Sequence, residues 1–155
     1  MKAVLITGMS GTGKSTLLTE LSRRGYRAID TDYNGWCILS SDGSELVWDE
    51  EKLTALLSGS ENQNLIVSGC VSNQHVFYHY FMTIVLLSAP TNVIMGRIGS
   101  RDTNQFGKTP AERARILTDI AEVEPRLRRS ADIELDTRIP VSRLADIVEK
   151  LFDNE

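Results

Sequence analysis

Eight residues near the amino terminus, "GMSGTGKS" (8–15), constrain this chain more than any other stretch. They fit the spacing GxxxxGK[ST] and lie between an apolar run and a helical pattern. Gly8, Gly11 and Gly13 permit backbone conformations that turn N–H groups inward, and a helix starting near Lys14 adds its positive dipole end. Such a turn is built to hold phosphate. Within it, Lys14 is expected to reach the β and γ phosphates of a nucleotide, and the Ser15 hydroxyl to ligate Mg²⁺, which prefers hard oxygen ligands. Ser10, Thr12 and Thr16 complete the expected nucleotide contacts.

The rest of the chain alternates short β-like runs with helical periods, and no repeat or linker interrupts it. "AVLIT" (3–7), "RAID" (27–30), "NLIVS" (64–68), "TIVLLS" (83–88) and "DIELD" (132–136) read as strands. The alternation predicts an α/β protein with three layers, a five-stranded parallel sheet between helices. Its 155 residues suit a single domain, 1–155, with one core. Helices are expected over 15–24 before Gly25, after an Asp49 cap, and from Pro140 to the end. The best-marked helix start has Thr109 as cap, Pro110 next and Glu112 placed for a capping box, while Pro125 should end or kink that helix. "CILSSDGSELVW" (37–48) reads as a hairpin around Asp42-Gly43 laid over the sheet edge, a suitable wall for a second substrate.

Composition narrows the partners. With 17 basic and 21 acidic residues the formal charge is −4, so no broad footprint for nucleic acid is expected. No apolar run is long enough to span a bilayer and no signal-peptide layout opens the sequence, which predicts a cytoplasmic protein without a membrane partner. Cys37 and Cys70 are too few and too far apart for a disulfide framework and read as buried thiols. His75 and His79 are four apart but lack companions for a metal site, so they read as partly buried packing residues. Tyr33, Trp36 and Trp48 suit either an acceptor pocket or the core. "DYNG" (32–35) fits DxxG, yet no NKxD accompanies it, which argues against a GTPase switch.

A second chemical feature is "IDTDYNGW", where Asp30 and Asp32 alternate and so share a face at the carboxyl end of the second strand. In doubly wound sheets these strand ends line the ligand crevice. With the phosphate loop, this acidic pair resembles the small P-loop kinases of the shikimate kinase and nucleoside monophosphate kinase type, shikimate kinase most of all. The resemblance covers nearly the whole chain and implies the P-loop nucleoside triphosphate hydrolase fold. It implies a kinase that moves the γ phosphate of ATP, with Mg²⁺, to a hydroxyl or phosphate of a small acceptor. Asp32 would then orient or deprotonate the acceptor, and Asp30 would contact Mg²⁺ through water. "SGCVSNQ" (68–74) matches an acceptor-binding turn, with Gly69 and Asn73 as candidates. "RIGSRDTNQFGKTP" (97–110) matches a lid, about 97–109, between Gly99 and Gly107 as hinges. There Arg97 and Arg101 divide contacts to base and phosphates in an order left open, with Lys108 and Asn104 as lesser candidates. "LDTRIP" (135–140) resembles the adenine loop, so Asp136, Thr137 and Pro140 would flank the base, and the insertion at about 33–60 would serve the acceptor.

The resemblance also has gaps. The arginine that shikimate kinases carry before the proline of the long helix is Val123 here, and "DGSELVWDEEKLTALL" supplies no second acceptor arginine. The D-G-x-P-R turn of nucleoside monophosphate kinases and the gluconate kinase motif are missing, and no aspartate ends "NLIVS". These gaps leave the acceptor's identity open, along with a non-catalytic ATP-binding module or a simple ATPase as the alternative.

Overall fold

The computed structural model describes residues 2–59, 63–102 and 105–153. In chain order the elements are β1 (Ala3–Thr7), α1 (Lys14–Arg23), β2 (Arg27–Asp30), β3 (Cys37–Leu39), β4 (Leu46–Trp48), α2 (Glu50–Leu57) and β5 (Leu65–Ser68). There follow a 3₁₀ helix (Gln74–Tyr80), β6 (Thr83–Ser88), α3 (Thr91–Ser100), α4 (Pro110–Glu122), α5 (Glu124–Ser130), β7 (Ile133–Asp136) and α6 (Val141–Asp153). Five strands form a sheet in the order β2-β5-β1-β6-β7, every neighbouring pair parallel. β1 has a partner on each edge, and the chain crosses to opposite sides of it, so the loop after Thr7 emerges at the point where strand order reverses.

Strand periodicity divides the core between the two faces. Val4 and Ile6 point into a cluster with Leu17, Leu18 and Leu21 of α1 and Leu144, Val148 and Phe152 of α6. Ala3 and Leu5 point the other way, to Trp48, to Leu53 and Leu57 of α2, and to Phe77 of the 3₁₀ helix. Ile94 and Ile98 of α3 pack on Ile116 of α4 in a smaller cluster of their own. This is the three-layer α/β/α arrangement of a P-loop nucleoside triphosphate hydrolase.

All five expected strands are present, two of them one residue shorter at the start. The expected hairpin is the two-stranded antiparallel β3–β4, with Cys37 opposite Trp48. At Thr109 the capping box is complete: its side chain accepts from the Glu112 N–H, and Glu112 accepts from the Thr109 N–H. The expected kink is the break at Val123 between α4 and α5. Two details differ from expectation. The segment around His75 is a 3₁₀ helix, and both histidines are exposed rather than partly buried. Gly99 lies inside α3, whereas Gly107 alone of the two hinge candidates has a left-handed φ of 94°. Among the described residues no helix is long and apolar enough to cross a membrane.

α1 and α6 are joined by Arg24, whose guanidinium reaches Glu20 at 3.0 Å, Asp146 at 2.7 Å and the Ser142 carbonyl at 3.0 Å. Hydrogen bonds from Arg23 and Arg24 hold the Glu20 carboxyl down at about 2, against an ordinary 4.5. A carboxylate depressed in the folded state contributes stability above its unfolded value, and that contribution is lost as pH falls through the folded value. Stability is therefore expected to drop between 4.5 and about 2, and Glu20→Gln to flatten the drop. Urea midpoints measured across that window for both proteins check this.

Candidate active site

The loop between β1 and α1 is shaped by contacts that leave little room for side chains. A Cβ at Gly8 would lie 2.5 Å from the Leu87 carbonyl oxygen, and one at Gly11, where φ is 83°, would lie 2.9 Å from Ile98. Thr12 is fully buried, and its hydroxyl donates to the Met9 carbonyl at 2.7 Å, closing the loop from within. α1 begins after Gly13 with no side-chain cap and no acidic residue in its first turn. Its leading N–H groups thus stand open to an anion.

Lys14 bends back over the loop, donating to the Gly8 carbonyl at 2.6 Å and the Met9 carbonyl at 3.0 Å. Burial lowers its pKa, with Arg101 adding to the effect, while Cys70, Asp32 and Asp30 oppose it. The Ser15 hydroxyl donates to Asp30 Oδ2 at 2.6 Å, and Asp30 Oδ1 accepts from the Asp32 N–H at 3.1 Å. Asp32 is solvent-accessible yet sits on the floor of a concavity, so desolvation raises its pKa; Asp30 adds to this and Lys14 works against it. Loop, lysine and both carboxylates therefore meet around one point.

That point opens into a cleft of about 1150 Å³. Ser10, Lys14, Ser15 and Thr16 of the loop and α1 line it, and so do Asp32, Tyr33, Cys70 and Leu46. Arg97, Arg101, Arg115, Asp119 and Arg126 line it as well, and Arg97 reaches the loop itself, donating to the Gly11 carbonyl at 3.4 Å and the Thr12 carbonyl at 3.5 Å. Arg97 is pinned by the base-loop candidate Thr137, donating to its hydroxyl and its carbonyl at 2.8 Å each. Arg101 donates to the Phe106 carbonyl at 2.7 Å, but its buried Nε has no partner. Lys108 is committed to the Gly99 and Arg101 carbonyls, and Asn104 lies outside the described residues.

Several expected residues are occupied elsewhere. Asp136 is gripped by Arg138, which holds its carboxyl at about 2, and Pro140 stands at the head of α6, where its carbonyl accepts from Leu144. Gly69 and Asn73 do not line the cleft. Asn73 instead brackets Trp48, accepting from its N–H and donating to its carbonyl at 3.0 Å each. A Cβ at Gly69 would collide with Thr31 Oγ1 and touch the Trp48 indole at 3.1 Å. Thr31, the residue between the two carboxylates, is held from three sides. Its hydroxyl donates to the Ser68 carbonyl at 2.7 Å and accepts from the Trp48 indole at 2.8 Å, while its carbonyl accepts from the Cys37 thiol. The root of the hairpin thereby positions the acidic turn. Of the three aromatic residues near that turn, Tyr33 reaches the cleft and Trp48 is core; Trp36 faces a separate open depression with Arg27 and Lys52, remote from the phosphate loop.

Arg115, which the sequence did not single out, and Arg126, which reads in "PRLRRSAD" as part of a helix-end charge cluster, both line the cleft. Neither makes an ion pair with another described residue. The available signal was helical spacing, since Arg115, Asp119, Val123 and Arg126 follow one another at intervals of four, four and three.

Residues 4–118 match the family model described as AAA domain. Among solved structures, shikimate kinase from Acinetobacter baumannii in complex with shikimate superposes with a TM-score of 0.67 at 19% identity, over 98% of this chain and 93% of that one. Shikimate kinase from Bacteroides thetaiotaomicron gives 0.66 at 16% identity, over 99% of each chain. A sugar kinase from Janibacter sp. gives 0.59 at 19% identity, over 99% and 95%. These likenesses are of fold. No curated protein matches the sequence significantly.

The close fit at Gly69 makes a test. Gly69→Ala should lower stability by about 1–3 kcal/mol by forcing Thr31 and Trp48 apart. Urea unfolding followed by tryptophan fluorescence measures both the loss and the altered indole environment.

Proposed function

The chain belongs to the AAA domain family, and we propose that within it this protein is an ATP-dependent kinase of a small molecule, transferring the γ phosphate to a hydroxyl or phosphate acceptor. The observation that carries this reading is one cleft lined at once by an open anion cradle, the Asp32 carboxylate and several arginines. The loop residues fit a nucleotide's phosphates, because the first-turn N–H groups of α1 have no side-chain cap and no acidic residue in that turn. The hydroxyl–carboxylate pair of Ser15 and Asp30 fits Mg²⁺ in its oxygen chemistry. When bound, Mg²⁺ supplies neutralisation of phosphate charge.

Lys14 exchanges its two carbonyl partners for phosphate oxygens, and the first-turn N–H groups of α1 orient the same group. Ser15 would ligate the cation, and Asp30 would hold it through water. Arg97, already anchored to Thr137, and Arg101, with its free Nε, neutralise phosphate charge as well. Asp136, Thr137 and Pro140 flank the base, Thr137 doing so through the guanidinium it holds. Asp32 accepts the acceptor's proton or fixes its hydroxyl, a role suited to a carboxylate whose pKa is raised. Residues 33–60 wall the acceptor side and 97–109 cover the phosphates, which excludes water and favours transfer over hydrolysis. Gly69 and Asn73 serve the acceptor indirectly, by seating Trp48 and the acidic turn. The two free thiols fit a reducing cytoplasm.

Phosphate transfer from γ-labelled ATP, with Mg²⁺ and pooled metabolites, nucleosides, nucleotides and aminoglycoside-like alcohols, tests the reading. Asp32→Asn should retain ATP binding while transfer falls about a hundredfold or more. Lys14→Ala should stay folded and lose ATP affinity. A fully active Asp32→Asn protein removes Asp32 from the mechanism, and ATP binding with no labelled acceptor favours the regulatory module or, where phosphate is released, the ATPase.

A further inference from the structure

A chain of hydrogen bonds runs from Thr7, the last residue of β1, to the 3₁₀ helix. Its centre is Gln74, which is 2% exposed. Gln74 Oε1 accepts from the Val71 N–H at 3.0 Å, and because a backbone N–H can only donate, the side-chain amide is held in one orientation. Nε2 therefore faces away with both of its protons. One goes to the Thr7 hydroxyl at 3.1 Å and the other to the Tyr78 hydroxyl at 3.0 Å. An amide nitrogen only donates, so both hydroxyls are acceptors toward Gln74. Each keeps its own proton for another partner.

Thr7 is fully buried, and its other partner lies inside the protein: burial raises the pKa of the Cys70 thiol, and Lys14 and then a hydrogen bond with the Thr7 side chain work against that rise. Tyr78 differs. Its ring packs against the cluster that holds Trp48 and Phe77, yet the residue also lines the cleft, together with Asp32 and Tyr33. Among the described residues nothing accepts its proton. A phenol that already accepts from within the protein presents its O–H to the molecule that fills the cleft.

We propose that Tyr78 is a specificity-determining residue of the acceptor site, its phenolic O–H donating to an oxygen of the acceptor molecule, with Gln74 as the positioning residue that fixes the direction of that bond. The assignment rests on the kinase reading above, in which Asp32 of the same cleft meets the acceptor. It adds a contact of opposite sense, since a carboxylate receives a hydrogen bond and Tyr78 gives one. The favoured acceptor therefore carries, apart from the group that is phosphorylated, an oxygen able to accept a hydrogen bond. A molecule lacking that oxygen leaves the phenol unpaired and is selected against.

The test measures transfer from γ-labelled ATP to whichever compound wild type labels best among pooled nucleosides, nucleotides, other metabolites and aminoglycoside-like alcohols, for wild type, Tyr78→Phe and Thr7→Val. Tyr78→Phe should raise the acceptor KM about tenfold while kcat and the KM for ATP stay unchanged, as for the loss of one hydrogen bond to the bound molecule. Thr7→Val removes the other hydroxyl bonded to the same amide and should leave the acceptor KM unchanged. Thermal melting should show both variants folded and lowered alike, because each leaves one Gln74 N–H unpaired. The proposal is overturned if Tyr78→Phe keeps the wild-type acceptor KM, if it raises the KM for ATP equally, or if Thr7→Val raises the acceptor KM as much, which would assign the chain of bonds to packing. A wild-type protein that labels nothing in any pool defeats the kinase reading and this assignment with it, an outcome distinct from failure at Tyr78 alone.

Discussion

The head of α1 has no cap. Its cap position is Gly13, no side chain satisfies the first-turn N–H groups, and no acidic residue stands in the first turn to offset the dipole. The uncapped end is stable because β1 behind it is buried at every position and paired on both edges, so the loop has a rigid base. Lys14 then fills the space over the loop by bonding to two of its carbonyls. The position of each other group in the cleft is set relative to this point, whether along the sheet, as for Asp30, or through α3, as for Arg97.

What was legible in the sequence was local. The phosphate loop, the strands and the Thr109 capping box each depend on residues close together in the chain, and each was identified with little error. The acidic pair was legible for the same reason. What holds the pair in place was not: Trp48, Gly69 and Cys37 meet Thr31 only after the sheet has formed. Gly69 and Asn73 drew attention as acceptor candidates because a glycine and an amide after a strand have the same appearance whether they face a ligand or a neighbouring indole. Arg115 and Arg126 were not legible as cleft residues because a helix in sequence does not reveal which of its faces meets a cleft.

The lining of the cleft mixes two chemical characters. Tyr33, Leu46, Cys70 and Tyr78 offer aromatic and apolar surface, and Arg97, Arg101, Arg115 and Arg126 offer guanidinium groups. A molecule in it meets surface that stacks or packs as well as charge, with Asp32 in the same lining.

The hairpin is fastened chiefly at one end, its far end carrying a tie from the Ser72 hydroxyl to Glu45. Its root, where Cys37 pairs with Trp48, is bolted to Thr31, yet Leu39 and Leu46 at the far end are 64% and 61% exposed. It is a cantilever. Substitutions near the tip are carried by few contacts and leave the carboxylates undisturbed, whereas substitutions at the root displace them. Drift among relatives can thus retune which molecule is admitted while the phosphate-handling machinery stays in register, and recognition and chemistry can evolve at separate rates along a single pair of strands.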